Sequence, residues 1–128
     1  MNQPAWFRSV ILIGTACTLL AVPVARGGQA DVLDVKIVRE AGGTFRFDVT
    51  VRHADAGWDH YADRWEILAP NGRVLATREL RHPHVDEQPF TRELLGVNIP
   101  KDIRQVTVRA HDSQHGFGGR EVSVELPR

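Results

Sequence analysis

The sequence predicts an all-β domain, a seven-stranded antiparallel sandwich, on three observations. From Asp31 onward apolar and polar residues alternate with period two, turn residues recur at short and even intervals, and no segment carries a helical stripe. Seven short strands in the 98 residues from Asp31 to Arg128 is the count such a sandwich uses.

The strands follow in order as 32–39, 44–53, 61–69, 73–81, 89–97, 104–111 and 120–127. In the first, Leu33, Val35 and Ile37 alternate with Asp34 and Lys36. In the second, Phe45, Phe47, Val49 and Val51 alternate with Arg46, Asp48, Thr50 and Arg52. Trp65 and Ile67 share a face of the third, which turns through Pro70-Asn71-Gly72 into the fourth, a hairpin signal. Phe90 to Ile99 supplies the fifth. Val106, Val108 and Ala110 mark the sixth, and Val122, Val124 and Leu126 the seventh. Trp65 on the third strand resembles the core tryptophan of immunoglobulin-like and fibronectin III-like sandwiches, which makes that architecture the expected one. The chain departs from the immunoglobulin pattern in having no cysteine pair, and its tyrosine, Tyr61, opens the third strand rather than the sixth.

Residues 1–30 read as a signal peptide and 31–128 as the single folded domain. Val10 to Val24 is apolar apart from Gly14, Thr15 and Thr18, too short for a comfortable membrane span but suited to a leader core. Gly28 and Ala30 offer small residues at the −3 and −1 positions of a cleavage point before Asp31. Cys17, the one cysteine, has Gly14 three residues before it, so lipidation is the minor reading. Cleavage before Asp31 would leave a periplasmic or secreted domain without a thiol and without a membrane segment.

Charge narrows the function classes. The whole chain has 16 basic and 16 acidic residues, and residues 31–128 carry 14 against 16, a formal −2. Such a domain has no basic field for gripping phosphate backbones, so no nucleic-acid partner is expected.

The six histidines are the distinctive feature. Loops in a seven-strand sandwich alternate between two ends, which gathers 53–60, 81–88 and 112–119 at one pole. All six histidines fall in or beside those loops: His53 and His60, His82 and His84, His111 and His115. Imidazole is the commonest ligand for zinc and copper, and metal sites draw ligands from distant segments. The expected ligands are His82, His84, His111 and His115, with His60 as a further candidate. Asp59 and Asp112 are expected to orient ligand rings. His53 continues the inward face of Phe45, Phe47, Val49 and Val51 and reads as a buried, hydrogen-bonded structural histidine. Asp55, Asp86 and Glu87 stand at the same pole as further carboxylate or ring partners.

Ligand inventory selects the metal. Blue copper needs a thiolate and a Cu(I) carrier needs thioethers, and the expected mature domain has neither. An imidazole and carboxylate site suits Zn²⁺ or Cu²⁺, whereas the acids show no calcium-loop spacing. Enzymatic readings are weaker: His111-Asp112-Ser113 are strand neighbours facing opposite sides, and no Gly-x-Ser-x-Gly elbow or His-Glu-x-x-His helix is present.

A second reading makes the same pole, with Trp58, Tyr61, Phe90 and Phe117, a contact surface for an extracytoplasmic protein partner or a ligand. The two readings separate on geometry. A metal site gathers imidazole nitrogens around one point, and a contact surface spreads the rings outward. The phrases Gly57-Trp58-Asp59-His60-Tyr61-Ala62-Asp63, His82-Pro83-His84 with Glu87-Gln88-Pro89-Phe90-Thr91-Arg92, and His111-Asp112 with His115-Gly116 resemble those of a group of small secreted bacterial proteins. That resemblance implies secretion and one compact domain, and no activity.

Overall fold

The computed structural model describes residues 28–128. The expected leader falls outside the described residues except for Gly28, Gln29 and Ala30. All seven strands are present, each within a few residues of its expected limits: β1 (Asp31–Arg39), β2 (Phe45–Arg52), β3 (Ala62–Leu68), β4 (Val74–Glu79), β5 (Phe90–Val97), β6 (Gln105–Asp112) and β7 (Val122–Glu125). They form a three-stranded sheet in the order β1-β2-β5 and a four-stranded sheet in the order β4-β3-β6-β7, with every pairing antiparallel. Among the described residues no helix is long and apolar enough to cross a membrane.

Period-two patterning places the core. On β2, Phe45, Phe47, Val49 and Val51 are buried, and they meet Trp65 and Ile67 of β3 and Val106, Val108 and Ala110 of β6 in one cluster between the sheets. Burying each large apolar side chain contributes about 1.5–3 kcal/mol, so this cluster supplies the main driving force. β3, in the middle of its sheet, is buried on both faces from Trp65 to Leu68. Glu66 tolerates that burial because Arg109 donates to its Oε2 at 2.9 and 3.0 Å and Arg64 to its Oε1 at 3.3 Å. A buried carboxylate without such partners would be strongly unfavourable.

The β3–β4 hairpin closes as expected. Gly72 has φ of +86° and donates to the Ala69 carbonyl, and Asn71 Oδ1 accepts from Arg73 N at 3.0 Å. The two open sides between the sheets are each bridged. On one side Val32 N donates to the Arg120 carbonyl at 2.8 Å, joining β1 to the segment that leads into β7. On the other, the Arg78 side chain of β4 donates to the Glu93 carbonyl of β5 at 2.9 Å.

Candidate metal centre

The site begins where β2 runs out. His53 sits one step past Arg52 on the inward side of the strand, so its ring enters the interior that Val51 faces, and it is 2% exposed. A polar ring there needs partners. Asp55, two residues on and also buried, supplies the first: its Oδ1 accepts from His53 Nδ1 and from Ala62 N at 3.0 Å. Its Oδ2 accepts from His84 N at 2.7 Å, so one carboxylate holds three chain segments together. A tight turn follows. His60 N donates to the Gly57 carbonyl at 3.2 Å and Ala56 N to the His60 carbonyl at 2.9 Å, with Gly57 at φ of +132°. That reversal brings the His60 ring back edge-on to His53, centroids 4.9 Å apart.

Asp112 closes the arrangement from the end of β6. Its Oδ1 accepts from Gln114 N at 2.7 Å and His115 N at 2.6 Å, an Asx-type turn. Reciprocal bonds between Asp112 and Gly116, both 2.9 Å, tighten the loop. The carboxylate is therefore fixed through one oxygen. The other, Oδ2, is buried and receives no hydrogen bond among the described residues. Facing it are Nε2 of His53 and Nε2 of His60, the latter at 2.6 Å. These three ligand atoms lie within 4.8 Å of one another. The Gly28 carbonyl oxygen joins them, 2.9 Å from His53 Nε2 and 3.3 Å from His60 Nε2.

This constellation calls for positive charge. A neutral imidazole has one N–H, yet both nitrogens of His53 face acceptors: Asp55 on one side, Gly28 O and Asp112 Oδ2 on the other. If Nδ1–H donates to Asp55, a bare Nε2 lone pair points at two further lone-pair oxygens. A proton or a metal ion resolves that conflict. With a proton, burial disfavours the charged ring, but the Asp55 hydrogen bond, the Gly28 carbonyl and the two carboxylate charges prevail and raise the His53 pKa. For Asp112, burial favours the neutral acid, but the amides of His115 and Gln114 and the nearby imidazoles lower its pKa instead. The carboxylate is thus held ionised, with Oδ2 the oxygen left without a hydrogen bond among the described residues.

Of the residues singled out from sequence, His60, Asp112 and His115 meet here. His115 packs edge-on against His60 at 5.1 Å between ring centroids. Asp112 offers a ligand atom of its own rather than an orienting contact. The others lie apart. His84 turns inward and stacks on Phe90, centroids 3.9 Å apart and 8° from parallel, and neither ring nitrogen has a hydrogen-bond partner among the described residues. Burial, with the charges of Arg92 and His82 nearby, lowers its pKa despite Asp55 and Glu87. His82 lies over His84 at 4.5 Å, its Nδ1 at the Pro83 carbonyl. His111 points to the other face of β6, where its Nδ1 meets Asp63 Oδ1 at 2.6 Å and its ring meets Phe117. The Asp59 carbonyl accepts from Gln114 Nε2, and its exposed side chain takes no part. His53, the centre of the arrangement, carried only a structural reading from sequence, whereas Asp55, expected among the carboxylate or ring partners, holds the His53 ring. The available signal was the His-x-Asp spacing at the end of an inward-facing strand.

No family model matches the chain, and no solved structure does. A curated protein of Halomicrobium mukohataei named "Putative lipoprotein" is 39% identical over 97 residues, which is 76% of this chain. The chain spans about half of that relative's length, 47%.

Proposed function

We propose that the chain is an exported metal-binding domain that holds one Zn²⁺, with Cu²⁺ as the competing ion, between His53 Nε2, His60 Nε2 and Asp112 Oδ2. The observation that carries the reading is the buried Asp112 Oδ2, which receives no hydrogen bond yet faces two imidazole nitrogens. Imidazole and carboxylate donors suit both ions. Asp55 on His53 Nδ1 is the outer carboxylate that metal-bound histidines commonly have. The side chains of His53 and Asp112 are fully buried and that of His60 is 20% exposed, which favours holding an ion over processing a substrate. Export is supported by the apolar stretch Val10–Val24 and by the name of the relative. The strand order β1-β2-β5 against β4-β3-β6-β7 supports a fibronectin III-like sandwich as the carrier.

The test is calorimetric titration of the chelator-stripped full chain with Zn²⁺ and with Cu²⁺. One ion per chain at micromolar affinity or tighter is the expected result. Absence of stoichiometric binding for both ions overturns the reading. In that event the contact-surface reading takes its place, favoured by Trp58, which stands 67% exposed on the same pole.

A further inference from the structure

The three side-chain ligands leave a four-coordinate ion one donor short, and the nearest unused donor is a main-chain one. We propose that the Gly28 carbonyl oxygen is that donor, so that the bound ion pins the strap formed by residues 28–32 onto the histidine pole. The proposal rests on the metal reading above and adds the strap to it.

The local packing is built for this. Gly28 O lies within 3.3 Å of both Nε2 atoms that face Asp112. Gly28 has φ of +115°, and a Cβ placed on it would stand 2.5 Å from His115 Nε2 and 3.3 Å from His60 Cε1. The main chain at Gly28 therefore passes between two imidazole rings that leave room for no side chain. The next residues are enclosed by two glycines of the opposing loop. A Cβ on Gly118 would stand 2.6 Å from Gln29 Nε2, and one on Gly119 would overlap the Ala30 carbonyl. Ala30 is 1% exposed, and Arg120 N donates to Asp31 Oδ1 at 2.7 Å. Three glycines on two segments thus allow a close approach whose one evident product is a carbonyl oxygen delivered to the ligand cluster.

A consequence follows for maturation. Trimming between Ala30 and Asp31, the point that the leader pattern suggests, would remove the fourth donor. Cleavage there and full metal affinity exclude each other.

The experiment is amide hydrogen exchange of the full chain, with and without saturating Zn²⁺, read on peptides covering residues 28–32. It is paired with Zn²⁺ titration of Gly28→Ala, whose Cβ would push the strap away from His115. The expected result is exchange in 28–32 slowed by at least tenfold on loading, with at least tenfold weaker binding in the variant. Stoichiometric Zn²⁺ binding by the parent chain with unchanged exchange in 28–32 sinks the strap and leaves the metal site standing. Unchanged affinity in a folded Gly28→Ala does the same. No stoichiometric binding by the parent chain overturns the strap together with the metal site.

Discussion

Asp55 holds His53 by Nδ1 and so aims the other nitrogen of the same ring at Asp112, across the chain by more than fifty residues. The pair works as a lever: the acid fixes ring orientation, and the orientation decides which atom is left to bind.

Asp55→Asn keeps the shape of that acid and removes its charge. Metal-bound histidines lose about 10- to 100-fold in affinity when their outer carboxylate is changed. Competition titration against a chromophoric chelator is expected to show a loss in that range for Asp55→Asn, with the far-ultraviolet spectrum retained.

The histidines are expected to separate into two sets. His60→Ala removes a ligand atom, and its Zn²⁺ affinity should fall by tenfold or more. His82→Ala and His111→Ala, whose rings sit against His84 and Asp63, should bind as the parent does. Equal losses across the three variants would show that the pole binds ions diffusely.

pH dependence follows from His53 and Asp112. The folded pKa of His53 is raised, so its stabilising contribution is complete below the ordinary value of about 6.5 and is lost as pH rises through the raised one. The folded pKa of Asp112 is lowered, so its contribution holds above about 3.9 and is lost as pH falls through the lowered value. In metal-free protein the urea midpoint difference between parent and His53→Gln should therefore shrink as pH rises from about 6 to about 8.5. Zn²⁺ should restore it at the alkaline end, because the ion binds the deprotonated ring.

His84 behaves in the opposite sense. Its folded pKa is lowered, so the neutral stacked ring contributes above about 6.5 and that contribution is lost as pH falls through the lowered value. His84→Phe keeps the stack on Phe90 and removes two buried nitrogens that lack partners. A gain of about 1 kcal/mol at neutral pH, increasing toward pH 5, is expected from urea denaturation.

Gly119→Ala tests the packing of the strap without touching a ligand. The new Cβ meets the Ala30 carbonyl, a backbone atom that cannot rotate away. A loss of about 1–3 kcal/mol in thermal or urea unfolding is the expected cost of the overlap.

The strands were legible because alternation survives wherever one face is wet: Val106, Val108 and Ala110 announce β6 against Thr107 and Arg109. The gathering of histidine loops at one end was legible from strand count alone. Ring direction was not. Beyond its spacing to Asp55, His53 reads in sequence as an inward polar residue at a strand end, and its second nitrogen acquires a role only because Gly28 and Asp112 arrive from elsewhere. His82 and His84 both read as ligands in sequence, but burying the His84 ring on Phe90 removes apolar surface from water and turns it inward. Asp55 shows the same limit: its value lies in two backbone amides, Ala62 and His84, that no spacing rule connects.

The bridges across the two open sides reach past the fold itself. A sheet edge presents unpaired amides and carbonyls on which another chain can template. Here the Arg120 carbonyl beside β7 is taken by Val32 N, and the Glu93 carbonyl on β5 by Arg78. Each bridge uses a backbone acceptor that a second copy would need, and Arg78 also sets a charge where an incoming strand would lie. The molecule thereby guards its own borders against edge-to-edge assembly.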